Sequence, residues 1–181
     1  MTINSETLQV LKETSTISFY TLLGAGVVAA QLAERQIRFV MIYIIPSSID
    51  EIGTMDELLE RLTKIKGTLG QVLYKLRSQV TIDDDFDEIL TNFLNRRNDA
   101  VHHIHTIPGC NLNTQQGLVI AINFATEFLR SAVHVQKMFY AVIHKWINEG
   151  GGTIPQSAED IYLQLDPASM SMVEKMFNNI K

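Results

Sequence analysis

Cysteine is almost missing from this chain: Cys110 stands alone among 181 residues. That excludes an internal disulfide and any zinc site built from cysteine alone, and it suits a reducing, cytoplasmic setting. Strand signals are missing too, since no run alternates apolar and polar residues between turn residues. The opening stretch MTINSETLQVLKE lacks a basic region leading into an apolar run, so no signal peptide is read. The most membrane-like stretch, Ile17 to Ala33, is 17 residues long, and Glu34, Arg35 and Arg38 follow it at once. A spanning helix needs roughly 20 apolar residues. A buried bundle helix is therefore expected there, and no membrane partner. Positive charge is also short. The net charge of −5 argues against a broad nucleic-acid-binding face, which is usually basic, but it leaves room for a small phosphate site.

Helical periodicity is abundant. A first helix is expected from about Ser15 to Ile44, where Pro46 forbids continuation. Its Gly24, Ala25, Gly26, Ala29, Ala30 and Ala33 would let a neighbouring helix come close. A second helix opens on Thr54-Met-Asp-Glu57, a capping box. It carries the apolar seam Met55, Leu58, Leu62, Ile65, Leu69, Val72 and Leu76, with Gly67 and Gly70 as points of weakness. A third begins in Asp83-Asp84-Asp85, whose carboxylates satisfy free amides and suit the positive end of the helix dipole. It ends near His105, ahead of Pro108. A fourth runs from about Asn113 or Thr114 to Asn148, with the seam Leu118, Ala121, Ala125, Phe128, Ala132, Val135, Phe139, Val142 and Trp146. Gly150-Gly151-Gly152 stops it.

The expected fold is thus all-α, an antiparallel up-down four-helix bundle over residues 1–149. A Gly-rich linker and helical tail follow over 150–181. In the tail, Ser157 and Asp166-Pro167 have N-terminal chemistry. Met170, Val173, Met176 and Phe177 share a face that would fold back on the bundle or dock on a partner chain.

Chemistry concentrates between Arg96 and His105. The apolar stripe of the third helix reads Phe86, Leu90, Phe93, Arg97, Val101, Ile104, so Arg97 takes a place the pattern reserves for a hydrophobe. An arginine facing a core needs a paired charge or a ligand anion. Asn98, His102 and His105 form an adjacent stripe, with Asn98 one turn before His102 and able to fix its tautomer. Arg96 and His103 add to the local positive charge.

These residues carry a resemblance. Arg97-Asn98-Asp99-Ala100-Val101-His102, within FLNRRNDAVHHI late in the third helix, resembles the R-x4-6-H motif of HEPN-domain proteins. The detailed match covers about a dozen residues, and the helical order extends it loosely over residues 15–148. The resemblance implies a HEPN-like bundle and a metal-independent endoribonuclease that needs no cofactor. It acts as a homodimer whose two motifs face one another, on an RNA substrate. Arg97 would hold the phosphate, His102 would exchange the proton, and Asn98 would orient His102 or touch the phosphate. Arg96, His103 and His105 would be auxiliary. Family habit adds a bacterial defence or toxin-type system with an antitoxin or regulatory protein as partner. Either His102 or His103 satisfies the motif spacing, and His102 is preferred because it lies over Asn98. Some HEPN toxins carry a modified tyrosine two residues beyond the histidine; this chain has Ile104 there, or His105 if His103 is the motif histidine.

Other readings stand beside this one. Arg97 could be structural, paired with Glu34 of the first helix in a non-catalytic interaction module. His102, His103, His105 and Cys110 have ligand chemistry, though their spacing fits no zinc pattern. His134 and His144 read as surface or groove residues of the fourth helix. The glycine run precedes no GK[ST] and is not a phosphate loop.

Overall fold

A computed structural model describes residues 5–45, 67–151 and 165–180. Among them every regular element is helical and none is a strand. The elements are α1 (Ser5–Phe39), α2 (Leu69–Gln79), α3 (Asp84–Asn98), α4 (Gln115–Glu149) and α5 (Pro167–Ile180). α1 runs on into a π turn, Val40–Ile44. α3 runs on into a second π turn, Asp99–His103, and then a short 3-10 turn, Ile104–Thr106.

Local chemistry sets most of the boundaries. Thr114 caps α4 by accepting from the Gly117 amide at 3.1 Å. The helix stops at Gly150, with Gly151 following at φ +75°. Asp83 caps α3, accepting from Asp85 N and from Lys175 Nζ of α5. Asp166 begins α5 by accepting from the Ser169 amide at 3.0 Å. α1 begins at Ser5, about ten residues earlier than expected, and Leu8 and Leu11, three residues apart, were an available sign of it.

The second helix differs more. The Thr54 capping box and the first half of its seam lie outside the described residues. The second half starts afresh: Thr68 and Gln71 form a reciprocal capping box, and Gly67 before them sits at φ +141°. The seam from Met55 to Leu76 is therefore not one continuous helix.

α1 and α4 pack along their length through small residues. Ala29, Ala30 and Ala33 of α1 and Ala121, Ala125 and Ala132 of α4 are all buried. A Cβ on Gly26 would stand 2.6 Å from the Phe128 ring, so that crossing is as close as glycine allows. The expected α4 seam is buried from Leu118 to Val142, and Trp146 is half-buried against the Phe39 ring. α2 adds Leu69, Val72, Leu73 and Leu76 to the core, and α3 adds Phe86, Leu90 and Phe93. α5 packs on α4, with Val173, Met176 and Phe177 in the same cluster, so it folds back on its own chain. Ser157 lies outside the described residues. Burying side chains of this size is worth roughly 1.5–3 kcal/mol each.

α1 shows the burial expected of it on one face only. Its inner face is closed, but Ile17, Tyr20, Val28 and Leu32 face outward. With its early start it is also longer than the apolar stretch suggests. Lys12–Ile44 and Gln115–Glu149 are both long and apolar enough, by length and composition, to cross a membrane.

Candidate functional site

The end of α3 lies against α1 and carries the motif residues. Arg97 leaves the last turn of α3 with its side chain 27% exposed and approaches Glu34 of α1, Nη2 to Oε2, at 3.9 Å. Its Nη1 donates to Asn98 Oδ1 at 3.3 Å. The opposite oxygen of Glu34 accepts from Arg38 at 2.7 Å, and Arg38 also donates to the Gly67 carbonyl at 2.8 Å. One carboxylate is thus shared by two guanidinium groups. The break that Arg97 makes in the apolar stripe is explained at this level: a carboxylate faces it.

Beyond Asn98 the helix does not continue as the spacing implies. Asp99–His103 winds as a π turn, in which each amide reaches back five residues and the turn widens. Two expectations fail for that one reason. Ala100 is buried in place of Val101, which is 44% exposed. Asn98 does not hydrogen-bond His102; its carbonyl oxygen accepts from Arg97. An i, i+4 alignment holds only while the helix advances by its regular 100° per residue.

His102 and His103 are both exposed, with ring centroids 6.1 Å apart and planes at 65°. His105 is exposed in the 3-10 turn that follows. Arg96 is half-buried near the end of α3. The structure therefore gathers Arg97, Asn98 and Glu34 in contact and sets the three histidines on the adjoining exposed turn. Cys110 is turned elsewhere: it packs with Phe19, Ala121 and Ala125, and burial pushes its thiol above the ordinary range. Among the described residues no group of three or more His, Cys, Asp or Glu could hold a metal ion.

Two features escaped the sequence. Arg38, the second cation on Glu34, follows it by four residues, a spacing that could have announced the pair. The cluster of His134, Asp166 and Ser169 joins α4 to α5: Ser169 Oγ donates to Asp166 Oδ2 at 2.7 Å and stands 3.5 Å from His134 Nε2. His134 is a groove residue, as expected. His144 is not a surface residue; it is buried beside Asn148, Nδ1 to Nδ2 at 3.2 Å.

Comparison of the chain with protein-family models, with curated proteins and with solved structures finds no match.

Proposed function

We propose that this chain is a HEPN-like, metal-independent endoribonuclease. It acts as a homodimer on RNA, within a bacterial defence or toxin-type system and under an antitoxin or regulatory partner. Its helices would form the up-down four-helix bundle of that family, with α5 as an accessory. The observation that carries the reading is the position of Arg97. It leaves an apolar helix face with its side chain partly exposed, 3.9 Å from Glu34, just ahead of two turns that bear three exposed histidines.

In this reading a neutral His102 takes the proton from a ribose 2′-hydroxyl, and the freed oxygen attacks the adjoining phosphorus. The bond to the 5′-oxygen breaks, and an imidazolium from the second protomer protonates that leaving oxygen. Arg97 stabilises charge on the phosphoryl oxygens. Products are a 2′,3′-cyclic phosphate and a 5′-hydroxyl. No step needs a metal. Asn98 positions Arg97 rather than His102, and His103 and His105 remain alternatives for the second proton transfer.

The Glu34–Arg97 contact favours a second reading: a non-catalytic helical interaction module in which Arg97 is structural. Cleavage of a mixed single-stranded RNA pool in EDTA separates the two. The nuclease reading expects wild-type cleavage that is lost in His102→Ala and Arg97→Ala while helix content is unchanged. A folded wild type without cleavage supports the module.

A further inference from the structure

Among the described residues, the outward face of α1 carries more exposed large hydrophobic side chains than any other element. Among the described residues, seven large hydrophobic side chains are exposed, and four stand on this one helix: Ile17 (66%), Tyr20 (57%), Val28 (57%) and Leu32 (40%). At 100° per residue these four fall within about a third of the helix circumference. They form one stripe, with Gly24 at its middle. A Cβ on Gly24 would meet nothing within 4 Å, whereas Gly26, two residues on, is fixed by the Phe128 ring. Packing within the chain therefore gives no reason for glycine at position 24, in mid-helix, where alanine is the better helix former.

Charge follows the same axis. No charged residue occurs from Thr14 to Ala33. Glu13 and Arg35 bound the stripe, both are exposed, and Arg35 forms no ion pair among the described residues. Glu13 and Arg35 stand equally far from Gly24 in opposite directions, and so do Tyr20 and Val28. A surface of this kind is complementary to itself under a two-fold rotation.

We propose that α1 pairs with α1 of a second copy, antiparallel about a two-fold axis at Gly24. Tyr20 packs on the partner's Val28, the two glycine backbones make the close approach, and Glu13 meets the partner's Arg35. The pairing stands apart from the composite site of the nuclease reading, and it is measured without RNA. Glu34, which holds Arg97, lies ten residues from Gly24, so the two Arg97 sites stand about 30 Å apart along the paired helices.

Sedimentation of the full chain at micromolar concentration, without RNA, tests it. The expected result is a dimer that Val28→Glu converts to a monomer of unchanged helix content. Glu13→Arg weakens association by roughly tenfold, since two attractive pairs become repulsive, and Glu13→Arg with Arg35→Glu restores it. The proposal is overturned by a monomeric wild type, by a Val28→Glu dimer, or by a charge swap that does not rescue. It is also overturned by a wild type that binds vesicles of neutral phospholipid through these residues and does not self-associate. A dimer obeying all three variants that cleaves no RNA leaves this interface standing and refutes only the nuclease.

Discussion

Glu34 stands between two arginines, with Oε1 at 2.7 Å from Arg38 and Oε2 at 3.9 Å from Arg97. The shorter contact keeps the carboxylate satisfied whether or not Arg97 is engaged. On the proposed reading, Arg97 is thus the member of the trio that would exchange its partner for a phosphate. All three side chains are partly exposed, so the longer pair is worth about 1 kcal/mol or less.

Replacing Glu34 with Gln removes the anion that competes with phosphate for Arg97. RNA affinity is expected to tighten up to roughly fivefold, the equivalent of that pair. Fluorescence anisotropy at fixed ionic strength measures it. Arg97→Ala is expected to abolish binding while lowering stability by about 1 kcal/mol or less, since Arg38 still pairs with Glu34. Several kcal/mol lost in Arg97→Ala, with RNA affinity unmoved in Glu34→Gln, would identify Arg97 as structural.

Gly26 and Gly24 are two residues apart and predict opposite behaviour. The Gly26→Ala methyl would stand 2.6 Å from the Phe128 ring, and overpacking of this kind costs about 1–3 kcal/mol. Gly24→Ala meets no atom of its own chain and should stabilise the dilute monomer by up to about 1 kcal/mol. Urea unfolding of the two variants side by side checks the contrast, and equal effects would mean that α1 and α4 do not cross at Gly26.

The α4 seam was legible because heptad spacing, an N-cap and a terminal glycine agree along one helix, and Leu118 to Val142 are buried as that spacing requires. Asp83 and Asp166 were legible for a similar reason: capping is a local transaction between a side chain and amides two or three residues on. The π turn at Asp99–His103 was not legible. Nothing in DAVHH distinguishes a widened turn from a regular one, and the choice depends on how the end of α3 seats on α1. The candidate site was therefore found in its residues and misjudged in its register, with Val101 outward and Asn98 bonded to Arg97. The pairing of Arg97 with Glu34 was nameable from the sequence, and its 3.9 Å separation came only with the tertiary contact.

The core between α3 and α4 supports a quantitative test. Phe86 and Phe139 are both fully buried, with ring centroids 5.8 Å apart and planes at 51°. Either Phe→Ala change should cost about 3–5 kcal/mol by lost transfer energy and cavity formation. The double variant should lose about 0.5–1.5 kcal/mol less than the two single losses together, because the ring contact is then counted once. Chemical denaturation of all four proteins gives the cycle; strict additivity would show that the rings do not touch.

His134 should make stability depend on pH in a definite direction. Burial between α4 and α5 holds its imidazole below the ordinary 6.5, outweighing the Asp166 carboxylate that pulls it upward, and Lys137 pushes it down further. The folded chain therefore accepts this proton less readily than the unfolded chain. As pH falls below about 6.5 the unfolded state binds more protons, and stability declines until the folded imidazole titrates as well. Above that window the contribution is complete. Asp166 belongs to a separate, more acidic window, since the Ser169 amide and hydroxyl hold its carboxyl below the ordinary 3.8. Its contribution persists until pH falls through that lowered value. Unfolding free energies measured from about pH 7.5 to 5 should slope downward in the wild type and flatten in His134→Gln. An unchanged slope in the variant would mean that His134 is not desolvated by α5.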